Sequence, residues 1–494
     1  MNNLYGSRNN DTFLELRHCY SMSVNMKSSN NALSGLGYGV SIVGSNSLLN
    51  ITGEALGCRH SVAFGGTSTE GGVAWDVHIN NFTGSAKYDS QIFDTHYSCG
   101  RVHWNNCIGK GRIINTEAIV NTKFSESVTY NIGDKVNYKG WVYKSKTSSN
   151  SGNTPPDTTN WEGINKNGVP LFQFRGGENH INNCKGYDVA VLLDITDKAK
   201  TSVYVDGLTG ENIYTYGLNI RQAATSYIVD KLHIRNMSIS NSGYVNNCKL
   251  LNIANNNGVI NKWLFENITG YGALVGEINL NSTKPSNLEL NHVKSFVERD
   301  LIQNGFIVSL YNDIDYIKLN GFSIYNSISP FRIIGNNNIV DKIYINNSYL
   351  KDSLSQDIYL GDVTINYLSI LNSIIEGLIT SSVRIIGSTV EKAVLGNLDL
   401  SDTLVNFLQE KVNKLMYSNI NISQKLYNTS ARPDLVILEG SFEKPKRVEG
   451  VGIPEGVVTG VLGCIYTNLS GGAGTTMYVR ETGSEVANTG WVSK

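Results

Sequence analysis

The sequence predicts an all-β protein, a right-handed parallel β-helix with coils of about 25 residues, and three observations carry that expectation. Composition is the first: of 494 residues, 49 are Gly, only 8 are Pro and 17% are charged, which suits an ordered, turn-rich β chain and not a disordered or helical one. The second is a repeated sentence, "HINNFTG" beginning at His78 and "HINNCKG" beginning at His180. The third is its period. The same apolar, Asn or Gly, apolar text recurs with anchors at Asn25, Asn50, Asn81, Asn106, Asn183, Gly207, Asn236, Asn267, His292, Gly321, Asn347 and Asn372. Successive anchor numbers differ by 25, 31, 25, 77, 24, 29, 31, 25, 29, 26 and 25.

Each element of a coil follows from this text. "VHINNF", "VHWNNC", "LHIRNM" and "IYINNS" alternate apolar and β-branched positions and end in Asn, the pattern of a strand closed by a tight left-handed turn. About 25 residues accommodate three short strands and three turns, one coil of the helix. Leucine-rich repeats would need L-x-x-L-x-L, and a propeller blade would run near 40 residues. Stacked coils bring their Asn side chains about 4.8 Å apart, close enough to hydrogen-bond along the axis. Asn81, Asn106 and Asn183 are therefore expected to be structural first of all. Past Asn372 the repeat fades, and "TLVNFLQEKVNKLMY" sets Leu404, Phe407, Leu408, Val412 and Leu415 on one helical face, a helical or linker cap over 401–440.

Charge and cysteines exclude other classes. A net charge of -1 gives no reason to expect nucleic acid as partner. The seven cysteines are scattered without a C-x-x-C pair, so they read as reduced core residues, and no metal or other cofactor is expected. No apolar run follows the basic residue of "MNNLYGSRNNDTF", and no stretch of 18 apolar residues occurs, which predicts a soluble chain with no membrane insertion and no ordinary secretion signal.

The step of 77 exceeds one coil by about 52 residues, so a module is expected between residues 117 and 168, with β-helix coils at 1–116 and 169–400. Its text, "YNIGDKVNYKGWVYKSKTSSNSGNTPPDTTNWEGI", carries Tyr130, Gly133, Asp134, Val136, Tyr138, Gly140, Tyr143, Pro155 and Trp161 in the order that resembles the small chitin-binding modules of bacterial chitinases. That resemblance implies sugar stacking by Trp141 or Tyr138. It departs where the family commonly has paired exposed tryptophans and this chain has "KSKTSS"; packing of a mini-core, with the module as a spacer, is the other reading.

Residues 441–494 switch to a compact Gly-rich β pattern. Gly463, Ile465, Tyr466, Thr467, Gly471, Gly472, Tyr478, Val479, Arg480, Glu481, Gly483, Thr489, Gly490, Trp491 and Val492 match a C-terminal module that recurs in bacteriophage tail fibre and tailspike proteins. The resemblance implies a homotrimeric tailspike in the virion tail, assembled in the host bacterial cytoplasm. Its implied partners are a phage tail or baseplate protein and a bacterial surface polysaccharide: capsule, O-antigen or teichoic-type glycan. Tailspikes usually enter the helix through a particle-binding region, whereas this chain begins with strand-like text, which points to a fragment or to docking by a partner.

Two groups of residues suit chemistry on such a glycan. Strand alternation turns Val77 and Ile79 inward and Asp76 and His78 outward; Arg101 and His103 flank Val102, and Glu178 and His180 flank Asn179. On successive coils these make two columns, Asp76/Arg101/Glu178 and His78/His103/His180. Asp76 and Glu178 would then lie about 10 Å apart, near the separation that lets an inverting glycosidase admit a water. The alternative is a self-neutralising surface ladder. In the second group, "QIFDTHYS" places Asp94 and His96 on one face of an extended segment and resembles the Asp-Pro-His motif of β-helical alginate epimerases, with Thr95 for the Pro and Tyr97 for the acidic residue that usually follows. The resemblance implies proton abstraction beside a sugar carboxylate. Upstream, Arg59 and His60 resemble an Arg-His pair common in phage β-helix proteins, and Arg59 suits a bidentate grip on a carboxylate or sulfate. With Glu70, these residues concentrate ionisable groups in the N-terminal coils. Three functional readings follow: a polysaccharide-degrading tailspike, a receptor-binding spike that does not cleave, and a cellular pectin or alginate lyase, the last disfavoured by the tail-type C-terminus.

Overall fold

The repeated sentence folds as the opening strand of a coil. In Val77–Ala86, Val77, Ile79 and Phe82 are buried while His78 and Asn80 reach solvent. The strand lies parallel to Ser47–Cys58 before it and to Arg101–Asn105 after it. The computed structural model describes the chain apart from residues 1–3, 8–11, 30–36, 66–72, 87–89, 97–98, 112–123, 139–140, 156, 158, 166–169, 197–199, 214, 221–227, 242–247, 254–257, 298–303, 354–356, 378–382, 387, 401–407, 409–411, 423–425 and 428–431. The described residues contain strands and no helix. They form two compact units, Met1–Asn279 with Thr283–Pro285 and Val293–Leu301, and Leu280–Ser282 with Ser286–His292 and Ile302–Lys494. Each is built on a parallel β-solenoid.

In the first unit one sheet runs through Val77–Ala86, Arg101–Asn105, Gly177–Tyr187, Lys200–Glu211, Ile228–Ser240 and Val259–Tyr271. A second runs through Tyr38–Val43, His60–Phe64, Phe93–Thr95, Pro170–Phe174, Val191–Ile195 and Tyr216–Ile220. Both faces of the second sheet are buried at Phe93–Thr95, Pro170–Phe174 and Val191–Ile195, as parallel strands commonly are. Between the sheets Trp104 is fully buried against Phe64, Phe93, Phe172 and Phe174, and its indole N–H donates to the buried Asn179 Oδ1 at 3.3 Å.

The turn residues behave as the repeat demands. Asn81, Asn106, Asn183, Asn236, Asn267, His292, Asn347 and Asn372 all hold φ between 49° and 54°, and Gly207 and Gly321 sit in the same left-handed region. A side chain at Gly207 would meet Asn183 Oδ1 at 2.6 Å, which explains the glycine there. Asn25 and Asn50 do not adopt positive φ; in those early coils Gly53 does, and the register shifts between Thr52 and Gly53. Asn side chains bond from coil to coil, Asn105 to Asn80 and Asn182 to Asn105 at 2.8 Å each, and Asn106 to Asn81 at 3.2 Å. The bond from Asn182 to Asn105 spans 77 positions, so the long step in the repeat is crossed by direct stacking.

Within that step Lys135–Tyr138, Trp141–Ser145 and Trp161–Asn165 form a separate three-stranded antiparallel sheet. Tyr130, Val136, Tyr143 and Trp161 fill its core, with Phe124 packed against them. The side chains of Tyr138 and Trp141 lie outside the described ones.

In the second unit a parallel solenoid runs through Ile314–Asn320, Phe331–Asn346, Ile358–Gly377, Thr389–Leu400 and Val412–Ile422. The expectation of a helix at 401–440 is corrected here. Val412 and Leu415 are buried rung residues paired with Val390 and Ala393, and Leu408 bridges Val383 and Tyr427. Leu404 and Phe407 lie outside the described residues. Nor does the repeat fade after Asn372: Asn397 donates to Asn372 at 2.8 Å and Asn419 to Asn397 at 3.0 Å, both in left-handed backbone. The apolar spacing suited either structure, and stacking on the preceding coil decided for the strand. At the end of this unit Leu435–Gly440, Pro445–Gly450, Ile465–Asn468, Met477–Arg480 and Trp491–Ser493 enclose Ile437, Val448, Val458, Cys464, Tyr466, Tyr478 and Trp491. The fully buried Arg480 donates to the carbonyls of Thr489, Glu485 and Ser484, so its charge is spent on a loop.

Candidate functional site

The first sheet carries both expected columns. Strand register pairs His78 with His103 and His103 with His180, and the rings stack at 4.6 and 4.7 Å. The stack continues onto Tyr204 at 4.6 Å, and the His233 ring meets Tyr204 edge-on at 5.3 Å; the expected column stopped at His180, although "LHIRNM" carries His233 where "VHINNF" carries His78. Beside it Arg101 reaches Asp76 through Nη1 at 3.2 Å and Glu178 through Nε at 3.1 Å. His180 Nε2 also bonds Glu178, at 2.7 Å. Burial acts to raise the Glu178 pKa, yet the bond from His180 and the charge of Arg101 bring it below the usual value. His103 is lowered by burial first and then by His180, His78 and Arg101. The Arg101 guanidinium also sits 5.8 Å from the ring of the half-exposed Trp75.

The second sheet holds a denser cluster. Asp94 is the middle residue of Phe93–Thr95; its neighbours point into the core, and its own carboxyl, turned the other way, is also fully buried. His96 Nε2 bonds Asp94 Oδ2 at 2.5 Å, and the His96 side chain is 29% exposed. Burial would raise the Asp94 pKa, but the bond from His96 and the charges of His60, His96 and Arg175 outweigh it and hold the carboxyl below its usual value. A carboxylate on Nε2 selects the tautomer in which Nδ1 carries the free lone pair. That is the geometry of a general base oriented by a buried acid.

His60 lies 3.8 Å from the same Asp94 oxygen, stacked on Tyr38 and bonded through Nδ1 to the Gln91 carbonyl at 2.8 Å. It is buried, not outward-facing, and burial drives its pKa down to about 4, so it is a neutral wall of the site. Arg59 stands over the other ring, 5.8 Å from the Tyr38 centroid. Glu70 lies outside the described residues. Sequence reasoning missed Arg175, whose Nε is 4.0 Å from Asp94 Oδ1, and the buried Gln173 and Asp194 on the next two rungs. The sequence signals for them were the strands themselves, "PLFQFRGGE" for Gln173 and Arg175 and "VLLDI" for Asp194, where a polar or charged residue interrupts or follows an apolar run. No group of three or more His, Cys, Asp or Glu able to hold a metal occurs among the described residues.

A family model described as Gp49, pectin lyase-like, matches residues 8–153. The match covers Arg59, Asp76, Asp94, His96 and Arg101, but not Arg175, Glu178 or the C-terminal strands. No curated protein and no solved structure matches the chain. The family match over residues 8–153 and the parallel β-solenoid together fit a phage β-helix protein.

Proposed function

We propose that this chain is a phage tailspike-type protein that binds a bacterial surface polysaccharide and depolymerises it by β-elimination at the Asp94–His96 pair. The observation that carries the reading is the bond between the buried Asp94 carboxyl and the partly exposed His96. His96 Nδ1 takes the proton next to the sugar carboxylate; the C–H electrons form the new double bond as the glycosidic C–O bond breaks. The leaving oxygen receives a proton from the imidazolium or from solvent. Hydrolysis by Asp76 and Glu178 is less well supported, because both carboxylates are engaged by one arginine and Glu178 is held below its usual pKa, whereas an inverting hydrolase needs one protonated acid. Arg59, Arg101, the His78/His103/His180 ladder and Trp75 serve as glycan contacts, and three copies of the chain form the spike.

The test incubates the protein with acidic capsular and O-antigen polysaccharides and reads both new reducing ends and ultraviolet absorbance of unsaturated uronate. Asp94→Asn and His96→Ala are each expected to cut turnover about a hundredfold or more with folding intact. Unchanged turnover in both variants would overturn the assignment. A second reading, glycan capture without cleavage, is favoured by the mutual pairing of Asp76, Arg101 and Glu178; it stands if all variants still bind host cells and no polysaccharide is cut.

A further inference from the structure

We propose that Arg175 grips a sugar carboxylate beside the Asp94–His96 pair, that Asp194 aims it through Gln173, and that the site thereby selects uronate-containing glycans. The inference rests on the reading of that pair as the depolymerising centre. Thr95 pairs with Phe174 on adjacent rungs, so the next residues, His96 and Arg175, occupy equivalent places about 4.8 Å apart along the stack. The Arg175 backbone N–H donates to the Thr95 carbonyl at 3.0 Å, which holds that placement.

The side chain is directed by amide polarity. Gln173 Nε2 donates to Asp194 Oδ2 at 2.7 Å. A glutamine amide has one donor end and one acceptor end, so an acid on the first forces Oε1 to face the other way. There Oε1 accepts from Arg175 Nε at 3.1 Å, from Arg175 Nη2 and from Gln91 Nε2. Asp194 is itself fully buried, and its Oδ1 accepts from Asn219 at 2.9 Å, which accepts from Asn252 at 2.7 Å. Four successive coils thus fix one amide orientation. Arg175 meets Asp94 only at 4.0 Å and is 26% exposed, so part of its five-donor fork remains for a bidentate carboxylate. Charge on the sugar carboxylate would be neutralised where the adjacent proton must leave. Arg175 is a binding residue; Gln173 and Asp194 are positioning residues.

Ligand-observed saturation-transfer NMR tests this with glucuronate, galacturonate and mannuronate against glucose. Wild type should bind at least one uronate and favour it clearly over glucose. Arg175→Gln should lose that preference with its thermal midpoint unchanged, and Arg175→Lys should keep part of it. Asp194→Asn, which frees the Gln173 amide to turn, should weaken uronate binding about tenfold, a loss near 1.4 kcal/mol. Gln173→Glu, which pairs Arg175 directly, should weaken it likewise even if Asp194→Asn folds poorly. Wild type without uronate preference, or Arg175→Gln with wild-type preference, overturns the inference. Retained Arg175-dependent binding with no cleavage of any polymer instead overturns the depolymerase reading alone.

Discussion

At the scale of single residues, chemistry here depends on which side chains lose water. His60 and His96 both approach Asp94, yet His60 is buried and titrates near 4 while His96 keeps a solvent face. An unfolded His60 takes its proton near 6.5 and the folded one only near 4. Between those values the unfolded state binds more protons, so its contribution is fully present above about 6.5 and is lost as pH falls towards 4, a change on the order of 3 kcal/mol. The lowered pKa of Asp94 adds loss in the same direction at still lower pH. Chemical denaturation across this range should show a drop that His60→Gln flattens; an equally steep drop in that variant would assign the acid sensitivity to other groups. His60 was nameable from sequence, but its role was not, because burial is set by neighbours from other coils.

At the scale of the element, a left-handed residue recurs in successive coils where the repeated strand turns. Asparagine tolerates that backbone and bonds its counterpart above and below, so it does two jobs that alanine cannot. Asn106→Ala is expected to cost about 1–2 kcal/mol for the backbone and about 1 kcal/mol for the ladder bond, whereas Asn106→Gly should lose only the bond. Denaturation midpoints in the order wild type, Asn106→Gly, Asn106→Ala check this. Equal midpoints for the two variants would remove the backbone contribution. The same element logic explains Val412–Ile422: Val412 and Leu415, at helical spacing in the sequence, also satisfy a strand when the preceding coil presents an edge to pair with.

For the whole molecule, direct pairing of Arg101–Asn105 with Gly177–Tyr187 means the solenoid does not need the residues between them for its stacking. Deleting 117–168 behind a short linker should leave the main thermal transition within a few degrees, because core and ladder contacts of the flanking coils are untouched. A deletion that failed to fold would show that the three-stranded sheet supports the coils. The trimer proposed above is checked by light scattering on the purified chain, with a monomer at micromolar concentration as the contrary result.

Period, strand parity and turn chemistry were legible from the residues alone because each is local: alternation sets which side chains face in, and Asn or Gly marks where φ must turn positive. The stacked columns Asp76/Arg101/Glu178 and His78/His103/His180 were legible too, since a fixed period converts position in the chain into position in the stack. What the tertiary structure decided was the environment. That Asp94 and His60 are sealed from water, that His96 is not, and that Asp194 acts on Arg175 through Gln173 from the adjacent coil depend on which rungs become neighbours and what covers them. Desolvation and the polarity of a buried amide are properties of packed surroundings, and no single segment contains them.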